Sequence, residues 1–112
     1  MTLFFTQQPP LLIATVGGRL DSVTAVEAQT SFEEKLREHN GHLILNLSSL
    51  DYLSSAGLRA LLTAIKRVGA RNGKCAMVVT QAHIQEILQI SGLLTLVPSY
   101  PSLEEAKAAL LD

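Results

Sequence analysis

The chain has 112 residues and a net charge of −1, with 47% apolar and 17% charged side chains. This length predicts one domain, residues 1–112, with a core large enough to fold without metal or disulfide. The balance of apolar and charged residues excludes a disordered chain. Aromatic residues are few and no basic block occurs, so we do not expect nucleic-acid binding. No apolar run reaches the roughly 20 residues of a membrane span and no signal-peptide pattern is present, which predicts a cytoplasmic protein that does not enter a membrane.

The first part of the sequence predicts a β-hairpin followed by a helix. Residues 3–6 and 11–16 are β-like runs separated by a turn that contains two prolines. Thr24 with Glu27 predicts a capping box at the start of the helix. The apolar stripe expected along that helix is formed by Ala25, Val26, Ala28, Phe32 and Leu36.

A strand and an amphipathic helix occupy the middle of the chain. Residues 43–47 predict a buried strand, and residues 48–53 predict a loop. The apolar residues that follow recur with the spacing of one helical face. That face is formed by Leu58, Leu61, Leu62, Ile65 and Val68.

The last third of the sequence predicts two further strands and two helices. Residues 75–79 form the next β-like run, and Thr80 is expected to cap the helix after it. Residues 94–97 predict a last short strand, and Ser102 with Glu105 predicts a second capping box. The apolar faces of these two helices are formed by Ile84, Ile87 and Leu88 and by Leu103, Ala106 and Leu110.

The predicted element order is β-β-α-β-α-β-α-β-α. Alternation of strands and helices favours parallel pairing with right-handed crossovers, whereas the first two strands pair as an antiparallel hairpin. The sequence therefore predicts an α/β fold, with a mixed open sheet, an N-terminal hairpin and about four helices.

The most distinctive segment is the strand-to-helix junction at residues 51–59, which reads Asp-Tyr-Leu-Ser-Ser-Ala-Gly-Leu-Arg. Two adjacent hydroxyls, Ser54 and Ser55, lie where the first N–H groups of a helix lack internal partners. Such a position accommodates negative charge, so it is a sensible place for a phosphoserine. Either serine can instead serve as the N-cap. Gly57 in the first turn fits two explanations, a close approach by a partner backbone or a tight turn.

No catalytic or metal site is predicted. Leu53 stands where a Gly-x-Ser-x-Gly nucleophile elbow would need glycine. The three histidines are scattered and no cluster has metal-ligand spacing. Cys75 lies in a strand-like run and is expected to be a buried thiol. We therefore predict neither enzymatic activity nor a cofactor.

Four segments, in order and at matching spacing, resemble a STAS domain, specifically the stand-alone anti-sigma factor antagonists of bacteria. They are residues 18–25, 43–50, 54–58 and 90–93. The resemblance covers nearly the whole chain and implies a STAS-like fold. The family's regulated serine, two residues before its Gly-Leu pair, corresponds to Ser55. Ser54 stands in place of the aspartate that usually precedes it.

The resemblance implies a phosphorylation switch. In the family, the unphosphorylated protein binds an anti-sigma factor that is also a GHKL-type serine kinase, and so frees the sigma factor. That kinase phosphorylates the regulated serine from ATP, and a PP2C-type phosphatase reverses the modification. The residues expected to bind this partner are Asp21, Ser22, Ser54, Ser55, Ala56, Gly57, Leu58 and Arg59.

The roles of two residues stay open at the level of sequence. Asp21 fits either a turn or cap residue or a contact for a basic group on the kinase, and Arg59 fits a solvated surface charge or a partner contact. Mild charge and small size predict a monomer when the protein is free. The absent aspartate motivates an alternative, a non-switching STAS scaffold or a soluble component of a stress-signalling or lipid or anion transport complex.

Overall fold

The computed structural model describes residues 1–111. Five strands and four α-helices follow one another along the chain, with one short 3₁₀ helix before the last strand. They are β1 (Thr2–Gln8), β2 (Leu11–Leu20), α1 (Thr24–Glu38), β3 (His42–Leu53), α2 (Ser55–Gly69), β4 (Cys75–Val78), α3 (Ala82–Ile90), the 3₁₀ helix (Leu93–Thr95), β5 (Ser99–Tyr100) and α4 (Leu103–Leu111). The predicted α/β class, the element order and the N-terminal hairpin are confirmed.

The strands form one mixed sheet in the order β1-β2-β3-β4-β5. β1 runs antiparallel to β2, and each later strand runs parallel to its neighbour. Because the connections between parallel strands must cross the sheet, each carries a helix. No helix within residues 1–111 has the length and apolar character needed to cross a membrane.

The sheet separates two apolar cores. Successive residues of a strand point to opposite faces, so Leu43 and Leu45 enter one core while Ile44 enters the other. The larger core is covered by α1, α2 and α3, and the smaller one by α4. Both faces of the central strands are therefore buried, as is usual for parallel sheets.

The third strand is longer than predicted, and the loop expected at residues 48–53 is wrong. β3 continues to Leu53 and pairs with the end of β2, where Leu53 lies opposite Leu20. Register irregularities interrupt this pairing, so the buried residues Leu50 and Leu53 are three positions apart rather than two. The alternation that identifies a strand in a sequence is lost there.

The second half of β3 lies beyond the reach of β4, which pairs only as far as Asn46. Side chains at the start of α3 form hydrogen bonds with the carbonyl groups of this part of β3 instead. The Nε2 of Gln81 donates to the carbonyl of Leu47 at 2.8 Å and also to the carbonyl of Leu50. A ring nitrogen of His83 lies 2.8 Å from the carbonyl of Asp51. These side chains take the place of a neighbouring strand.

The strand predicted at residues 94–97 is also wrong. The chain forms the 3₁₀ helix there, and Val97 donates its N–H to the carbonyl of Leu93 at 3.0 Å. Leu93 and Val97 are both buried, and their spacing of four residues is helical. The last strand is β5, which lies between Pro98 and Pro101.

Two of the three predicted caps are wrong. The first N–H groups of α1 are satisfied by Asp21 rather than by a capping box between Thr24 and Glu27, and the residue before α3 is Gln81 rather than Thr80. The cap at Ser102 is confirmed, because its hydroxyl accepts from the N–H of Glu105 at 3.2 Å.

Val26 does not belong to the buried stripe of α1. Its side chain is 69% exposed, whereas Phe32 and Leu36 are buried. The buried residues of α1 recur every three or four positions from Ala25 onward. Val26 lies one position beyond Ala25, which turns it about 100° away from that stripe.

Candidate functional site

The predicted site residues come together at the carboxyl ends of β2 and β3. These strands are adjacent and parallel, and the N–H of Ser54 donates to the carbonyl of Leu20 at 2.9 Å. The turn that begins at Asp21 and the start of α2 are thereby placed side by side. Ligands of open α/β sheets commonly bind at this edge.

Ser54 is the N-cap of α2. Its backbone is extended, with φ −90° and ψ 172°, and its Oγ accepts from the N–H of Gly57 at 3.1 Å. Its carbonyl accepts from the N–H of Leu58 at 2.9 Å, which closes the first turn of the helix. Serine and aspartate are both favoured N-caps. Ser54 can therefore replace the family's usual aspartate without losing the helix start.

Ser55 is the first residue of α2, and its side chain is exposed to solvent. Because Ser54 provides the cap, the Ser55 hydroxyl is not needed for it. This hydroxyl makes no hydrogen bond with any residue in the range 1–111. The two adjacent serines thus have different environments, one engaged in the helix start and the other presented to solvent.

Gly57 lies beneath Ser55 and is buried. A Cβ at this position would lie 2.7 Å from the carbonyl oxygen of Leu20, 2.8 Å from the Cγ of Leu20 and 2.9 Å from Cδ1 of Leu53. All three distances are shorter than normal contacts between such atoms. Close packing of α2 onto the ends of β2 and β3 thus explains the glycine, without a partner backbone.

Asp21 organises the neighbouring turn. Its Oδ1 accepts from the N–H of Thr24 at 2.9 Å and from that of Val23 at 3.0 Å. The hydrogen bond from the Thr24 N–H is the main reason that the pKa of Asp21 is lowered, with smaller contributions from the Thr24 hydroxyl, Val23 and Arg19. Asp21 therefore acts as a turn and cap residue in the free protein. Ser22, the next residue, is exposed.

An arginine and a tyrosine form a cross-strand pair beside this turn. Arg19 on β2 lies opposite Tyr52 on β3, and its guanidinium carbon lies 4.1 Å from the centre of the tyrosine ring. The Nε of Arg19 is 3.8 Å from Oδ2 of Asp21. The sequence does not reveal this pair, because it depends on the register of residues that were predicted to form a loop.

An apolar groove adjoins the start of α2. It has a volume of about 270 Å³ and is lined by Leu58, Arg59, Leu62, Ser91, Gly92, Leu93 and Leu96. Leu58, Arg59 and Leu62 follow Ser55 by three, four and seven positions, so all four share one side of the helix. Arg59 is the charged residue among those that line the groove.

Sequence reasoning missed most of this groove. Leu62 was assigned to the core face of α2 but is only half-buried, and Leu96, assigned to a strand, is 63% exposed. Val23, next to the Asp21 turn, is 78% exposed. The sequence feature that indicates the groove is the spacing from Ser55 to Leu62, which places Leu58, Arg59 and Leu62 on the same side of α2 as the serine.

The site lacks the arrangement needed for nucleophilic or metal catalysis. His39 and His83 interact with backbone carbonyl groups, and His42 accepts from the N–H of Lys74. None of the three is hydrogen-bonded to Ser55. Within residues 1–111, no three His, Cys, Asp or Glu side chains are grouped closely enough to hold a metal ion. Among the described residues, no histidine is therefore placed to act as a general base for Ser55.

Comparison with known proteins identifies relatives over almost the whole chain. The family model described as "STAS domain" matches residues 5–106. A protein of Bordetella bronchiseptica named as an anti-sigma factor antagonist, BtrV, is 32% identical over 99 residues, which are 88% of this chain and 85% of that protein. A protein of Paenibacillus polymyxa that is 28% identical over 91 residues is named as an anti-sigma F factor antagonist. Both relatives are thus named for antagonism of an anti-sigma factor and not for a reaction.

Solved structures share the same fold. An anti-sigma factor antagonist from Mycobacterium paratuberculosis superposes with a TM-score of 0.90 at 24% identity, covering 99% of this chain and 94% of that one. The antagonist SpoIIAA in its unphosphorylated form has a TM-score of 0.83 at 16% identity, covering 98% and 96%. The fold predicted from the four motifs is therefore confirmed. By the match of the family model and by its similarity to BtrV, this chain belongs to the STAS domain family.

Proposed function

We propose that the protein is an anti-sigma factor antagonist and that phosphorylation of Ser55 switches its binding off. The unphosphorylated form binds a cognate anti-sigma factor, which is also a GHKL-type serine kinase, and so releases the sigma factor. A PP2C-type phosphatase restores the binding form. The observation that carries this proposal is the Ser55 hydroxyl, which is exposed and makes no hydrogen bond within residues 1–111, whereas Ser54 caps the helix.

Two relatives support the proposal. BtrV is named for antagonism of an anti-sigma factor. SpoIIAA has been solved in phosphorylated and unphosphorylated forms, and both share the fold of this chain, with TM-scores of 0.74 and 0.83. A STAS fold thus accommodates the modification.

The phosphate is expected to weaken binding of the partner without unfolding the helix. A phosphate adds roughly −1.5 to −2 charges at neutral pH. At the first turn of α2 this charge faces the positive end of the helix dipole, so it does not destabilise the helix. It lies beside the apolar groove, where an opposing protein would have to desolvate it. A misplaced charge in an interface costs several kcal/mol, which is enough to dissociate a complex.

The expected docking surface combines the exposed and half-exposed residues of the site. They are Asp21, Ser22, Ser54, Ser55, Ala56, Leu58 and Arg59. Gly57 contributes from below, because it allows α2 to pack closely enough to present Ser55 at this edge. We propose a monomeric protein that forms a one-to-one complex in the cytoplasm, where ATP is available to the kinase.

The first test is chemical. Incubation with the cognate anti-sigma factor and ATP should add one phosphate, detected by intact mass and located by peptide sequencing. The Ser55→Ala variant should gain none, whereas Ser54→Ala should still be modified. Modification of Ser54, or of neither serine, would contradict the assignment of Ser55.

The second test places the same charge on either serine. Ser55→Asp should weaken binding to the unmodified anti-sigma factor by at least about tenfold, measured by calorimetry, because the carboxylate projects from the exposed position. Ser54→Asp is the comparison variant and should weaken binding much less than Ser55→Asp, because a capping carboxylate is directed at the helix N–H groups. Equal binding by both variants would refute the switch. That result, together with co-purification of a membrane permease, would favour the non-switching transport module.

A further inference from the structure

We propose that Arg59 is the internal counter-ion of the phosphate on Ser55. In the unmodified protein Arg59 lines the apolar groove, and on modification its guanidinium group turns to the phosphate. The inference rests on the proposed function only in that Ser55 is the modified residue. It adds a residue that determines how the modification changes the docking surface.

The spacing of the two residues supports a direct pair. Ser55 and Arg59 are four positions apart on α2, and such residues have Cβ atoms about 5–6 Å apart on the same side of a helix. An anion that precedes a cation by four residues is also the favourable order along a helix. Because an arginine side chain is long and its guanidinium group is forked, it can donate two hydrogen bonds to one phosphate.

Arg59 is available for this role. Its side chain is exposed, and it forms no ion pair within residues 1–111. The first turn of α2 contains no acidic residue that would compete for it. The other cation at this edge, Arg19, is already stacked on Tyr52 and lies beside Asp21. A phosphate on Ser55 therefore has one unengaged guanidinium group within reach along its own helix.

The pair would change the surface in two ways at once. Without phosphate, Arg59 is the cation at the edge of the apolar groove, which fits an anti-sigma factor segment with a carboxylate next to apolar side chains. With phosphate, the guanidinium is occupied and no longer attracts that carboxylate. Phosphorylation would then add an anion to this part of the surface and make its cation unavailable to the partner.

The test uses phosphoserine incorporated at position 55 during translation, so it does not depend on a kinase. The second acid dissociation constant of the phosphate is measured by ³¹P NMR titration. It should be about threefold higher in the parent than in Arg59→Gln, because the guanidinium stabilises the dianion. Lys66→Gln removes the same charge from the same helix about 16 Å away from Ser55, and it should behave like the parent. Arg19, Asp21, Glu27 and His83 on the neighbouring elements are unchanged in all three proteins, so their influence cancels.

A second readout detects the pair directly. The side-chain Nε–H proton of Arg59 should shift downfield when Ser55 carries phosphate and should not shift in the unmodified protein. Equal dissociation constants for the parent and Arg59→Gln, or an unchanged Nε–H signal, would overturn the pairing while leaving the Ser55 switch intact. Conversely, a phosphoserine protein that shows the pair but binds the anti-sigma factor like the unmodified one would refute the switch and leave the pair standing.

Discussion

At the scale of single residues, the site depends on two adjacent serines that have different roles. Ser54 holds the first turn of α2 through its hydroxyl, and Ser55 extends its own hydroxyl into solvent. The sequence shows two serines at a helix start but does not say which one caps it, since either hydroxyl fits the preference. The register between β2 and β3 determines which serine is the cap, because the hydrogen bond from the Ser54 N–H to the Leu20 carbonyl fixes where the helix begins.

Two glycines of α2 test the packing beneath the serine. Gly57→Ala should lower the free energy of unfolding by about 1–3 kcal/mol, because the new methyl group would overlap Leu20 and Leu53. A Cβ at Gly69, at the other end of the helix, has no neighbouring atom within 4 Å. Gly69→Ala should therefore raise the free energy of unfolding by about 0.5–1 kcal/mol. Urea denaturation of the two variants measures both effects. An unchanged or increased stability of Gly57→Ala would show that the helix is not packed so closely here.

At the scale of elements, the sequence predicted the regular parts of the fold and failed where a regular pattern is interrupted. The long amphipathic helix was assigned correctly because its periodicity extends over many residues, and the central strands because they are short continuous apolar runs. The second half of β3 was missed, because irregular pairing with β2 removes the alternation. Residues 94–97 were assigned to a strand because a short apolar run does not distinguish strand from helix. β5 was missed because it is two residues long and lies between prolines, which only an edge strand tolerates.

The contact between α3 and β3 is an element-scale feature that can be tested. Gln81→Ala should lower the free energy of unfolding by about 1–3 kcal/mol, because the carbonyl groups of Leu47 and Leu50 would lose the partner that replaces a strand. Amide exchange in residues 48–53 should accelerate. Gln89→Ala, on the exposed side of α3, is the matched control and should change neither quantity. Equal protection of residues 48–53 in both variants would contradict this role of Gln81.

At the scale of the whole molecule, the sheet places its only thiol far from the site. Cys75 begins β4, whereas Ser55 follows the carboxyl end of β3. The Cys75 side chain is half-buried rather than fully buried as expected. This partial burial raises the pKa of its thiol to about 12. The native protein therefore contains little of the reactive thiolate at neutral pH.

Alkylation of Cys75 tests the effect of burial on its thiol. At about pH 8 the native protein should react with iodoacetamide roughly 100- to 1,000-fold more slowly than the unfolded chain, because so little thiolate is present. Intact-mass measurements over time give both rates, with urea-unfolded protein as the reference. A native rate close to that of the unfolded chain would show that the thiol is accessible.

The burial of Gly57 also bears on how a switch of the proposed kind diversifies. The close packing that fixes the position of Ser55 involves Leu20, Leu53 and Gly57, all of which are buried. The exposed rim, including Ser22, Val23 and Arg59, is free to change without disturbing that packing. After gene duplication, one copy can therefore acquire a new partner through rim substitutions while keeping the same phosphoacceptor. Under the proposed function, the residues of the exposed rim alone would then determine which anti-sigma factor each paralogous protein binds in one cell.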